Sequence, residues 1–253
     1  MEARLTSRDI DRTRLLYGRR PVVEALRVRG SVERIMMADG LSHSAVIDEI
    51  KELCKAGAIP LRMVPRSELD RATDGGSHQG VVAVTTDFRY ASFDKLLAAP
   101  DATLLFVDSV TDPHNLGSLL RSADGAGFDG VVIPARRTVG VTPAVRRVSA
   151  GASEVVPIAR VPNMSGALDL ARRKGLWIVG LDPEGAEDLW TSNMVEPPLG
   201  LVVGSEDKGI SPGVQKHCDA FLRIPSKGKL GSLNVAVAGA IAMFEISRRR
   251  STT

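Results

Sequence analysis

Seven residues of this chain are the best suited to chemistry. They are Asn115 and Arg121 in TDPHNLGSLLRSA (111 to 123), Gly204, Glu206 and Gly209 in LVVGSEDKGIS (201 to 211), and Ser232 and Asn234 in IPSKGKLGSLNVAVA (224 to 238). A guanidinium grips a phosphate or carboxylate with a planar fork. Carboxylate and amide side chains can hold such a group or a ligand in place. Glycine lets the backbone approach a ligand closely, and the N–H groups of a tight turn can hold its polar atoms. Each segment joins an apolar, strand-like run to a loop rich in Gly, Ser, Asn or Pro, where a rigid scaffold tends to present binding groups. Three such loops in one half of the chain imply a single composite site.

Each residue also has a plainer reading, and spacing leaves both open. With a helix starting near Asn115, the apolar stripe is Leu116, Leu119, Leu120, Ala123 and Ala126, and Arg121 lies well off it. Arg121 is then either a solvated arginine or a side chain able to reach a ligand at the TDPHN loop. Asn115 and Ser232 serve equally as helix caps, and Glu206 as an exposed turn carboxylate. GAGFDG (125 to 130) matches the dinucleotide pattern GxGxxG, but it follows a helix and leads into a strand, the reverse of what phosphate binding requires. Gly125 or Gly127 is better read as a helix stop.

Other chemistries lack residues to support them. Cys54 and Cys218, and the four histidines His43, His78, His114 and His217, match no metal or redox spacing, so no metal is expected. No apolar stretch approaches the roughly 20 residues of a membrane span, and MEARLTSRDI lacks the apolar core of a signal peptide, so a cytoplasmic protein with no membrane partner is expected. The net charge of +3 is unevenly spread. Eight arginines fall in the first thirty residues, with pairs at Arg136-Arg137, Arg146-Arg147 and Arg172-Arg173 and a run at Arg248 to Arg250. Such clusters suit nucleic-acid phosphates, although any one pair also reads as solvated surface.

The elements that position these loops fall into two α/β series. A basic tail (1–13) precedes a small α/β domain (14–87): helix 22–28, strand 32–38, helix 44–57, strand 58–64, a short helix capped by Ser67, and strand 80–86. A linker with one helical turn (88–101) leads to a larger domain (102–250). Its near-continuous apolar strands 103–108, 130–134, 177–182 and 199–204 alternate with helices 115–126 and 164–174, which argues for a parallel sheet covered on both faces. Ser232 is expected to cap a final helix whose small residues allow very close packing.

In order, the three segments resemble the three motifs of the SpoU (TrmH-like) branch of the SPOUT RNA methyltransferases, and SAGASEVVPI (149 to 158) is also typical of it. LLYGRRPVVEAL and GSHQGVVA resemble the small RNA-binding domain, of ribosomal-protein type, that accompanies the branch's ribosomal RNA members. The resemblance implies an α/β SPOUT domain with a deep C-terminal trefoil knot, a homodimer, and S-adenosylmethionine as methyl donor for a ribose 2′-hydroxyl. The implied target is a guanosine of the large-subunit (23S) ribosomal RNA. By position, Gly204, Ser205, Ile224, Pro225, Leu233, Ser232 and Asn234 are expected to contact the donor. Arg121, Asn115, Glu206, Ser232 and Asn234 are expected to form the catalytic shell, with Asn115 and Glu206 holding Arg121. Three residues depart from the family pattern: Asp207 stands where Gly is usual, and Ser226-Lys227 replace a more usual apolar residue and its neighbour.

Overall fold

The computed structural model describes residues 14–27, 31–228 and 231–250. The basic tail 1–13, Val28 and Arg29, and Lys229 lie outside the described residues. The chain divides into two compact units, residues 1–89 with 141–155, and 90–140 with 156–253.

In chain order the first unit opens with β1 (Leu15–Tyr17), α1 (Arg19–Arg27), β2 (Val32–Ala38), α2 (Ala45–Ala56), β3 (Leu61–Val64), α3 (Arg66–Ala72) and β4 (Val81–Thr85). The four strands form one sheet in the order β1-β4-β2-β3, antiparallel except for the β2–β3 pair. Ile35, Met37, Val81 and Ala83 face α1 and α2, whose Val22, Ala25, Ile47 and Ile50 complete that core. Met36, Val82 and Val84 alternate to the other face, where α3 contributes Leu69 and Ala72. The Ser44 side chain caps α2 as its position suggests. Ser67 does not cap α3, which begins one residue earlier after Pro65 with no side-chain cap. β1 does not stand out in the sequence because only three residues pair.

The second unit continues with α4 (Phe93–Leu97), β5 (Thr103–Val107), α5 (Pro113–Gly125) and β6 (Gly130–Pro134). The chain then contributes α6 (Pro143–Val148) and α7 (Ala152–Val155) to the first unit before returning. The rest is β7 (Ile158–Val161), α8 (Met164–Arg173), β8 (Trp177–Leu181), β9 (Glu187–Asp188), β10 (Leu199–Val203), α9 (Pro212–Gln215), β11 (Ala220–Arg223) and α10 (Val235–Arg250). All seven strands are parallel, in the order β7-β6-β5-β10-β8-β11-β9. β5, β6 and β10 are buried along their whole length, which is why they read as unbroken apolar runs. The stretch expected to be a linker is partly built in. Ala91 bridges Ala159 beside β7, and Leu96 and Leu97 of α4 join the core of this unit.

β10 inserts between β5 and β8 although β6, β7, β8 and β9 come between β5 and β10 in sequence. That order sends roughly the last fifth of the chain, from β10 on, back through the middle of the sheet, the kind of crossing a C-terminal knot needs. α10 then packs along α5, where a Cβ on Gly239 would come within 2.5 Å of Leu119 Cδ2, so the small residue is what allows the approach. The end of α10 is strapped down by arginines. Arg249 donates to Leu189 O (2.8 Å) and Ser192 O (2.6 Å), and both Arg248 and Arg249 pair with Glu245. Those hydrogen bonds and charges, Arg248 first, hold the Glu245 carboxyl down at about 2. Arg250 donates to Gly127 O, so the C-terminal arginine run serves the fold more than a distant phosphate.

Candidate active site

The site sits at the C-terminal ends of the central strands, where open parallel sheets leave room for ligands. β10 ends at Val203, and Gly204 begins a turn closed by two backbone hydrogen bonds. Ser205 N–H donates to Gly209 O and Gly209 N–H donates to Ser205 O, each at 2.9 Å. Only glycine fits at 204: a Cβ there would lie 2.1 Å from the Gly209 carbonyl carbon. The exit of the turn is anchored by the buried Asp108, which follows β5 and accepts the Ser211 N–H at 2.8 Å. Sequence reasoning missed Asp108, and the only available signal was a carboxylate ending a strand that is otherwise wholly apolar.

Asp112, not Asn115, caps α5, accepting the His114 N–H at 2.8 Å. The helix therefore starts two residues earlier than the sequence suggests, and Asn115 is left in its first turn, buried and facing inward. Likewise α10 begins at Val235, so Ser232 lies outside the helix. Asn234 does the capping, its Oδ1 accepting from Ala236 N–H (3.0 Å) and Val237 N–H (3.2 Å). The same side chain's Nδ2 donates to Asn115 Oδ1 at 3.0 Å and to Glu206 Oε1. One amide thus ties together all three segments.

Beside this link is a cavity of about 380 Å³. Among the expected donor-contacting residues Gly204, Ser205, Ile224, Ser232 and Leu233 line it, as does Glu206, whereas Pro225 and Asn234 do not. Asp182, Asp207 and Lys208 also line it and were not among the expected site residues. Arg121 is exposed, is absent from the lining, and has no partner among the described residues. Asn115 and Glu206 hold Asn234, not Arg121, which lies about 9 Å further along α5 than Asn115 at 1.5 Å per residue. All five residues of the expected α5 stripe are buried.

No three His, Cys, Asp or Glu side chains among the described residues are grouped to hold a metal. Burial pushes the Cys54 thiol up to about 11 and, with help from Asp219 and Asp108, the Cys218 thiol up to about 12. Neither is poised as a nucleophile. No helix among the described residues is long and apolar enough to cross a membrane.

Residues 102–244 match the model of the SpoU rRNA methylase family, and residues 15–91 match that of the RNA 2′-O ribose methyltransferase substrate-binding domain. A protein of Staphylococcus saprophyticus, named for the TrmH family of tRNA/rRNA methyltransferases, is 38% identical over 94% of this chain and 96% of its own. The crystal structure of the SpoU methyltransferase AviRb from Streptomyces viridochromogenes in complex with AdoMet is 27% identical. It superposes with a TM-score of 0.79 over 94% of this chain and 91% of its own. An AdoMet-bound rRNA methyltransferase from Sinorhizobium meliloti is 25% identical, with a TM-score of 0.78 over 93% of this chain and 87% of that one. The chain belongs to the SpoU/TrmH family of RNA methyltransferases.

Proposed function

We propose that this protein transfers a methyl group from S-adenosylmethionine to a ribose 2′-hydroxyl of RNA. In this reading the target is a guanosine in the peptidyl-transferase region of 23S ribosomal RNA, and the enzyme is a cytoplasmic homodimer. The observation that carries the reading is the Glu206–Asn234–Asn115 link, which ties the three family segments together beside a cavity that Glu206 lines.

The cavity suits the donor. Its volume is within the range of small-molecule sites. Leu181, Val203, Ile224, Leu233, Val235 and Ala238 offer apolar surface, and the 204–209 turn offers backbone polar groups. When bound, S-adenosylmethionine supplies a sulfonium methyl whose transfer leaves a neutral thioether. The residues of the chain need only place the ribose oxygen in line and assist loss of its proton. Gly204 and its turn hold the donor close to the sheet, and the amide link fixes Glu206 and the start of α10 around it.

A guanidinium does not give up its proton inside a protein, so Arg121 is unsuited to act as a base. Its free fork instead binds the RNA phosphate next to the target ribose and lowers the hydroxyl's pKa, with the proton passing to phosphate or water. The C–O bond forms as the S–C bond breaks, and the electron pair stays on sulfur.

The ribosomal target is favoured by the match of residues 15–91 to a substrate-binding domain and by TDPHNLG in the first segment. Mapping 2′-O-methyl groups in RNA from a deletion strain is the direct test. Loss of one guanosine mark in 23S RNA, restored by the wild-type gene, is expected. Loss of a mark at an adenosine or in transfer RNA would move the target, and no lost mark would overturn the reading. In single-turnover assays Arg121→Lys is expected to slow methylation at least tenfold, because charge remains while the fork is lost.

A further inference from the structure

Asp207 is the charged departure from the family pattern that lines the cavity, and the proposed mechanism has no use for it. With Asp182 and Glu206 it gives the lining three carboxylates against one ammonium, that of Lys208. The three are not equivalent. Glu206 is committed to Asn234, and Asp182 Oδ1 accepts the Glu184 N–H at 2.8 Å. Asp207, on the exposed part of the 205–209 turn, has no hydrogen-bond or ion-pair partner among the described residues. Asp182 follows β8 directly, so the two aspartates reach the cavity from different strand ends. Among the described residues no three His, Cys, Asp or Glu are grouped to hold a metal, and the surplus charge faces the cavity.

We infer that Asp207 and Asp182 are specificity determinants that make the cavity prefer the cationic methyl donor over its demethylated product. The inference rests on the donor reading above. S-adenosylmethionine carries one more positive charge than S-adenosylhomocysteine, and the two are otherwise nearly the same shape, so shape can separate them only weakly. A negative cavity separates them by charge: attraction present before methyl transfer disappears with the sulfonium, and the product leaves more readily. Because Asp207 is exposed, water and salt screen its effect to a few-fold. That is still enough to matter for an enzyme working in the presence of both ligands.

Calorimetric titration of the full-length protein with S-adenosylmethionine, S-adenosylhomocysteine and sinefungin, an analogue that keeps a positive amine near the sulfur position, tests this. Asp207→Asn and Asp182→Asn remove charge and keep shape, and melting curves check that the variants fold. Each is expected to weaken S-adenosylmethionine and sinefungin binding about threefold while leaving S-adenosylhomocysteine unchanged. In the wild type, 0.5 M salt should shrink the donor-to-product preference in the same way. Equal weakening of all three ligands, or an unchanged preference in the double variant, would overturn the inference. If the folded wild type binds none of the three ligands, the donor reading itself fails, and this inference with it.

Discussion

Asn234 shows how one side chain can carry two loads that mutation can separate. Its Oδ1 caps α10, and its Nδ2 binds Asn115 and Glu206. Asn234→Asp keeps an acceptor for the helix N-terminus, where a negative charge is favourable. It loses the donor, however, and sets a carboxylate against Glu206. Asn234→Ala loses both. The expected result is that the alanine variant melts lower, by about 1 kcal/mol of stability, whereas the aspartate variant melts near the wild type. Both should bind S-adenosylmethionine more weakly, measured by calorimetry beside the melting curves. If the aspartate variant binds normally, the link to Glu206 is only structural. The sequence placed Asn234 in the right segment but gave the cap to Ser232. Ser and Asn cap helices equally well, so residue type could not choose between them, and the choice follows from where the α5 side chain of Asn115 lies.

Among the elements, α6 and α7 depart furthest from what the sequence suggested. Residues 141–155 fall inside the stretch matched by the methylase model, yet they pack in the compact unit of the substrate-binding domain. A buried ion pair holds them there. Arg146 Nε donates to Glu154 Oε1 at 2.6 Å with both side chains only 4% exposed, and Arg146 Nη1 donates to Thr85 Oγ1 at 2.7 Å. Arg147 lies 4.8 Å over the ring of Tyr17. Breaking such a pair strands a buried charge, so Glu154→Gln is expected to cost about 3 kcal/mol by denaturant unfolding, and Arg146→Met with Glu154→Leu much less. Equal losses in the single and double variants would show that packing volume and not charge dominates. The Arg146-Arg147 pair had read more readily as solvated surface than as a phosphate contact, yet Arg146 is buried in an ion pair. By contrast, β2, α2, β4, β5, β6, β8 and β10 were legible to within a few residues, because continuous or alternating apolar runs announce strands directly. Short β7, β9 and β11 were not, since they are stabilised by their neighbours in the sheet more than by their own pattern. The order of strands depends on contacts between distant segments, which no local pattern contains.

For the whole molecule, the remaining question is what covers α10. Along this helix Val237 and Phe244 are 49% and 51% exposed and stand seven residues apart, two turns along one face. Leu233, just before it, is 43% exposed. Phe244 also lies over the end of α5 near Gly125, so the apolar strip extends towards the helix that bears the unpartnered Arg121. A second copy of the chain is the occupant that fits the proposed homodimer. It would also bring an arginine from outside towards a cavity that Arg121 does not line in its own chain. On this view the donor cavity, which one chain forms alone, and the completed catalytic site, which needs two, come apart experimentally. Phe244→Lys places a charge in the strip without touching the cavity lining. It is expected to turn a dimer into a monomer in light scattering at micromolar concentration, to keep S-adenosylmethionine affinity within about twofold, and to lose methyl transfer to RNA by at least tenfold. Full activity in the monomeric variant would mean that Arg121 serves its own chain. A wild type that is already monomeric at that concentration would remove the need for a partner altogether.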